Sequence, residues 1–282
     1  MLVNMKEMLE NAKKGKYAVP QFNINNLEWT RFILEECQSN NSPVILGVSE
    51  GAAKYMGGFK TVADMVKDLI EYLNIDVPVC LHLDHGSSLF TCKSAISSGF
   101  TSVMIDASKY DLDKNIEITK EVVSYSQKYN VTVEGEIGHV GSDKFPDNEG
   151  IMYAEVDDCV KYCQETGIDF LAPALGSVHG LYKGEPKLDF NRMLEISKIT
   201  NKPLVLHGGT GIDDEKIKKS ISCGIAKINI NTELQIAWSN AVKEKINDDN
   251  LYDPRKIIKL GEEALKTCVR NKIILLGSNN KV

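Results

Sequence analysis

Three of the five histidines in this chain end apolar runs in the same way. Residues 77–86 read VPVCLHLDHG, where Val79-Cys80-Leu81 leads into His82-Leu83-Asp84-His85-Gly86. Val178-His179-Gly180 and Leu206-His207-Gly208-Gly209 repeat the pattern further along. Such runs suit buried parallel strands, and each glycine marks where the chain turns. An isolated histidine there reads as a paired core residue. Three at matching positions offer three neutral imidazoles with a fourth position open, the donor set of a catalytic zinc site. His85, His179 and His207 are therefore candidate metal ligands. Asp84 stands beside the first, and burying a carboxylate next to an imidazole is costly unless both are used. Strand alternation would aim Asp84 and His85 to opposite sides, so His85 must sit where the strand already turns. His82 lies within the strand and reads as structural, and His139 falls in a loop.

Two further turns could hold an anion. His207-Gly208-Gly209-Thr210-Gly211 follows one apolar run, and Asn229-Ile230-Asn231-Thr232 follows the next and opens a helix. Backbone N–H groups and threonine hydroxyls at a helix N-terminus bind phosphate. A glycine-rich turn alone often only redirects the chain. The second turn and the metal candidates beside it point to a phosphate. Asp106 and the pair Glu134/Glu136 end two more runs, and Glu134 and Glu136 share one strand face. Three roles stand open to them: orienting the histidines, forming a second cation position, or pairing inside the fold with Lys227.

The elements that must position these groups recur evenly. Eight apolar segments read as strands: Tyr17–Asn23, Pro43–Ser49, Pro78–Asp84, Ser102–Asp106, Val131–Glu136, Phe170–Leu175, Pro203–His207 and Ala226–Ile230. Helical patterns lie between them, with Asp189 and Asp213 as N-caps. Glu233–Ile246 and a last helix over Pro254–Arg270 form a C-terminal extension. Strand–helix alternation without a linker predicts a (β/α)8 TIM barrel, one α/β domain spanning residues 1–282. An open doubly wound sheet is disfavoured because no G-x-G-x-x-G follows the first strand. A barrel also gathers Asn23, Ser49, Asp84, Asp106, Glu136, His207 and Asn229 from seven strand ends onto one rim, with His179 just beyond the sixth strand.

Composition narrows the partners. The 282 residues are 43% hydrophobic with a net charge of −6, acids and bases being mixed along the chain. No surface basic enough for nucleic acid is evident. The first residues read as a short amphipathic helix rather than a signal peptide, and no run is long enough to span a membrane. The seven cysteines are scattered, and Cys159 and Cys163 share a helix face as packing thiols. A cytoplasmic protein is expected.

The motifs HLDHG, EGEIG, ALGSVHGLYKGEP, LHGGTG and KININTELQ, in this order, resemble the class II, zinc-dependent fructose-bisphosphate and tagatose-bisphosphate aldolases. The similarity runs from VPQFNINN to the final LGSNN. It implies a lyase of glycolysis and gluconeogenesis, cleaving fructose 1,6-bisphosphate to dihydroxyacetone phosphate and glyceraldehyde 3-phosphate. It also implies a homodimer or homotetramer and one zinc per chain, with a monovalent cation, Na+ or K+, often nearby. By matching motifs, His85, His179 and His207 would hold the zinc, and Asp84 would be the acid/base. Asp106 and Glu136 would hold zinc in an alternative resting position. Gly180, Lys183, Gly208, Gly209, Thr210, Asn229, Ile230, Asn231 and Thr232 fall where the family binds the phosphorylated three-carbon product, and Asn23 and Ser49 line the pocket. The loop 139–147 departs from the family pattern: Ser142 replaces a second glycine and no acidic doublet follows. Asn231, where tagatose-type relatives commonly carry alanine, favours the fructose substrate. Tagatose 1,6-bisphosphate, another phosphoketose, and a non-catalytic phosphosugar-binding role are the alternatives. A Schiff-base aldolase would need a reactive lysine, for which Lys227 is the one strand candidate.

Overall fold

The computed structural model describes residues 2–138, 141–142, 153–180, 184–246 and 251–282, with the backbone alone at 141, 142 and 179. Ten strands follow in chain order: β1 Val19–Asn23, β2 Val44–Ser49, β3 Val79–Gly86, β4 Ser102–Ile105, β5 Thr132–Ile137, β6 Gly141–Ser142, β7 Phe170–Pro173, β8 Val178–His179, β9 Leu204–Leu206 and β10 Ile225–Ile230. Eight of them close a barrel in the order β1-β10-β9-β7-β5-β4-β3-β2, while β6 and β8 form a separate pair. Every pairing is parallel, from Val19 opposite Lys227 to Asn23 opposite Gly47. The eight barrel strands are those the apolar segments predict, with ends differing by one or two residues. This is a (β/α)8 barrel.

Two apolar layers hold it. Outside, helices lay Phe32, Ile33, Val62, Val66, Ile116, Val122, Ile196, Ile217 and Leu265 against the outward strand residues. Inside, the helix Lys6–Gly15 buries Met8, Leu9 and Ala12 against Val19, Ile45, Cys80, Phe170, Val205 and Ala226. Those partners sit at the starts of their strands, so this helix plugs the amino-terminal mouth. Val3 N–H donates to Val79 O (2.9 Å) and anchors its approach. The opposite mouth, where strands end, stays open for the site.

The helix caps behave as read. Asp189 Oδ1 accepts from Arg192 N (3.0 Å) and Asp213 Oδ1 from Glu215 N (3.1 Å). The last helix does not run through Pro254–Arg270. It divides into Pro254–Lys259 and Glu262–Leu276. Gly261 makes the break: a Cβ there would lie 2.2 Å from Trp238 Cδ1, so the indole needs a residue without one. The longer piece packs beside β1, where Ala18 N–H donates to Leu276 O (3.0 Å), and pairs Arg270 Nε with Glu36 (2.7 Å). A short helix, Glu50–Tyr55, and the pair β6/β8 had no sequence counterpart. Cys159 and Cys163 are buried free thiols on one helix face. No helix among the described residues is long and apolar enough to cross a membrane.

Candidate active site

Alternation builds the site in two layers. Asn23, Asp84, Glu136 and Asn229 face inward at the rim. Gln21, His82, Glu134 and Lys227 precede them by two positions and so face inward one layer below. All four of the deeper residues are fully buried. At the rim, Asn23 Nδ2 donates to Asp84 Oδ2 (2.8 Å) and Asn229 Nδ2 to Asp84 Oδ1 (3.2 Å). Both carboxylate oxygens are thus gripped by amides, leaving Asp84 facing the cavity with a fixed orientation. Burial opposes its ionisation, but the charges of His85, His207 and Lys227 and the Asn23 hydrogen bond outweigh that. They hold the carboxyl well below the usual carboxylate range.

His85 does turn as the sequence required. Its φ is +52°, and the β3–β4 register shifts between Leu83 and Gly86. The left-handed residue swings the imidazole to the same side as Asp84, at some cost in backbone strain. Gly86 can follow because a Cβ there would sit 2.6 Å from Met104 O.

Of the three candidate ligands, His85 and His207 have described side chains, and these form a donor set. His85 Nδ1 lies 2.9 Å from Asp106 Oδ2, and His207 Nε2 lies 2.9 Å from Glu134 Oε1. Ionised carboxylates only accept, so both of these nitrogens carry their protons. The remaining nitrogens, His85 Nε2 and His207 Nδ1, then face each other at 3.0 Å. A proton held on His85 or a cation between the rings suits that spacing, and Asn229 Nδ2 lies 3.3 Å from His207 Nδ1. The electrostatics agree. Burial would lower the pKa of His85, but its Asp106 hydrogen bond and the charges of Asp84, Glu136 and Asp106 raise it to about 9. The pocket wants positive charge at the ring. Two overlapping groups could hold a metal, Asp84/His85/His207 and His85/Asp106/Glu136, each with donor atoms within 4.8 Å of one another. His85 belongs to both. The residues present therefore fit a zinc ion held by imidazoles with carboxylates behind them.

Beside these groups lies a cavity of about 210 Å³. Asn23, Ser49, Asp84, His85, Gly180, Gly208, Thr210, Asn229, Asn231 and Thr232 all line it. Its floor on one side is the start of the helix Thr232–Lys245, whose first residues follow an Asn231 that makes no side-chain cap. Asn231 Oδ1 is buried without a hydrogen-bond partner. Gly208 holds φ +67°, and a Cβ there would lie 2.1 Å from Val178 O, so the turn after β9 presses directly on β8.

Of the expected substrate residues, Gly209 and Ile230 do not line the cavity. Ile230 is buried in the outer core and Gly209 packs on Ile228 and Asn229. Lys183 and His139 lie outside the described residues, and His179 is described by backbone only, in the pair with Ser142. Asn25 lines the cavity and was not anticipated, although its spacing of two from Asn23 was a visible signal. Of the roles open to Glu134, two hold at once: it orients His207 and pairs with Lys227 Nζ (2.8 Å). His82 is structural, bonding Ser102 Oγ through Nδ1 (2.9 Å), and burial drops its pKa to about 3.

Comparison with known proteins adds to this geometry. The profile of the family described as fructose-bisphosphate aldolase class-II matches residues 3–281. The chain is 58% identical to the fructose-bisphosphate aldolase of Geobacillus stearothermophilus, across 99% of this chain and 98% of that protein. It is 55% identical to the fructose-bisphosphate aldolase of a Staphylococcus epidermidis strain, across 99% of both. The crystal structure of the YdjI aldolase of Escherichia coli K12 superposes with a TM-score of 0.89 at 34% identity, covering 100% of this chain and 99% of that one.

Proposed function

The chain belongs to the class II fructose-bisphosphate aldolases, a zinc-dependent lyase family, and from that premise we propose how its own residues cleave a ketose bisphosphate. The substrate is fructose 1,6-bisphosphate, split reversibly into dihydroxyacetone phosphate and glyceraldehyde 3-phosphate. One observation carries the proposal: Asp84 and His85 face the same cavity as Gly208, Thr210, Asn231 and Thr232 of the two turns. Metal donors, a held carboxylate and an anion cradle thus meet in one space.

His85, His179 and His207 would hold one zinc per chain, with Asp106 and Glu136 offering a second position. When bound, zinc supplies Lewis acidity that stabilises the negative charge left by carbon–carbon cleavage. Asp84 takes the proton from the C4 hydroxyl as the C3–C4 bond breaks, the carbon left with the electron pair then takes up a proton from solvent to give dihydroxyacetone phosphate, and condensation reverses both transfers. Its two amide partners, Asn23 and Asn229, keep the accepting oxygen in place without taking the proton. The N–H groups at the start of the helix Thr232–Lys245, with Thr210 and Thr232, anchor the phosphate and fix the reacting carbons against Asp84. Ser49 and Asn25 border the remaining volume, where the rest of the sugar would lie. Lys227 is sealed in an ion pair with Glu134 and does not line the cavity, which favours this chemistry over a Schiff base.

The catalytic unit spans residues 1–282 with the C-terminal helices packed onto the barrel. A homo-oligomer, Na+ or K+ near the pocket and a cytoplasmic setting complete the proposal. The test compares cleavage of fructose 1,6-bisphosphate with that of its C4 epimer, tagatose 1,6-bisphosphate, with zinc and after chelation, with borohydride added in a parallel arm. Zinc-dependent preference for the fructose isomer is expected. Preference for the epimer would replace the substrate, and borohydride trapping would overturn the mechanism.

A further inference from the structure

We propose that Lys227 is a positioning residue that sets the metal-holding arm and the base arm of the site together. The inference rests on the site reading above and concerns a residue that neither lines the cavity nor touches Asp84. Lys227 is fully buried, and its ammonium has two acceptors: Glu134 Oε2 at 2.8 Å and Asn229 Oδ1 at 2.9 Å.

The first contact reaches the metal arm. With one oxygen on Lys227, Glu134 directs the other at His207 Nε2 (2.9 Å). That hydrogen bond keeps the proton on Nε2 and leaves Nδ1 as the donor atom. The second contact reaches the base arm. An ammonium donates and never accepts, so Asn229 must present its oxygen to Lys227. Its NH2 group is thereby turned toward Asp84 Oδ1 (3.2 Å) and His207 Nδ1 (3.3 Å). A flipped amide would set NH2 against the ammonium and oxygen against the carboxylate, two repulsions in a dry interior. An ordinary core ion pair would need Glu134 alone. The second acceptor is what ties the orientation of Asp84 to the same cation.

The two arms can be read separately. Lys227→Met removes the cation and leaves Glu134 buried without it. Lys227→Met combined with Glu134→Gln leaves a neutral layer of nearly unchanged volume, in which the introduced amide oxygen can still accept from His207. Zinc affinity is measured by competition with a chelating dye, and kcat and KM at saturating zinc with fructose 1,6-bisphosphate. The single variant should lose roughly 10–100-fold in zinc affinity, and the double variant should return to within about threefold of wild type. The double variant should still lose about tenfold or more in kcat with KM little changed, because Asn229 is no longer held. Should the single variant not fold, the double variant decides. A double variant with wild-type kcat would overturn the proposal, reducing Lys227 to a counter-charge. Zinc affinity that stays lost in the double variant would overturn the link through Glu134. The wild-type enzyme in the same assay tests the function itself, and the zinc titration is independent of which ketose is cleaved.

Discussion

Replacing Asp84 by alanine separates the base from the carboxylates that hold the metal. The Nδ1 nitrogen of His85 is already bonded to Asp106 at 2.9 Å, so Asp84 is not the group that orients this ring. Its oxygens are spent on Asn23 and Asn229. Asp84→Ala removes a nearby charge but no contact that orients a ligand, so it should cost zinc affinity about tenfold at most, the lower end of what losing an orienting carboxylate costs. Loss of the base should lower kcat by about 10²–10⁴, equivalent to roughly 3–5 kcal/mol of barrier. Asp106→Ala should show the reverse pattern, with zinc affinity down roughly 10–100-fold and turnover restored by excess zinc. Dye competition gives the affinities, and a coupled assay for the triose phosphates gives kcat at saturating zinc. If Asp84→Ala lost zinc and activity in parallel while Asp106→Ala bound zinc normally, the assignment of roles would be wrong.

Three further outcomes are expected. Gly209→Val places a Cβ 2.6 Å from Ile228 Cγ2 and 2.9 Å from Asn229 O, which should displace the turn, raise KM for the bisphosphate and lower kcat together. Gly261→Ala drives a methyl into Trp238, 2.2 Å away, and should cost about 1–3 kcal/mol by overpacking, seen as a lowered Tm with unchanged kcat. His82 is buried neutral with its pKa lowered to about 3 from 6.5. Between those values the unfolded chain takes up a proton that the folded chain refuses, so stability falls as pH falls, by about 2 kcal/mol at pH 5. His82→Gln apoprotein should show a flatter pH dependence of Tm, and an unchanged acid limb would refute the assignment.

The sequence made the rim legible because strand ends carry it: eight apolar runs, seven with a polar residue at or next to their ends, allow few other arrangements. The turn at His85 could be argued from alternation alone, and the structure places φ at +52° there. The division of the last helix could not, since one glycine in a helical pattern costs only about 1 kcal/mol against alanine. What divides it is Trp238, which arrives from a different helix. Glu134 shows the same limit. Spacing put it on the inward face with Glu136 and left orienting the histidines and pairing with Lys227 as open roles, and that it does both at once, toward His207 and Lys227, took the structure. Which inward groups meet depends on the register of the closed sheet.

The helix that plugs the lower mouth precedes every strand it seats on and finds its seat last. Met8, Leu9 and Ala12 rest on residues from six strands, Ala226 among them, so their seat is incomplete until β10 has joined β1. At about 5–20 residues per second, roughly 10–40 seconds of translation separate Gly15 from Ala226. For that interval the amphipathic segment lacks its complete seat. Once seated, the helix acts as a latch whose release requires the barrel to open. The amide of Leu9, bonded to Met5 O at 2.9 Å, should then exchange with solvent as slowly as the central strands.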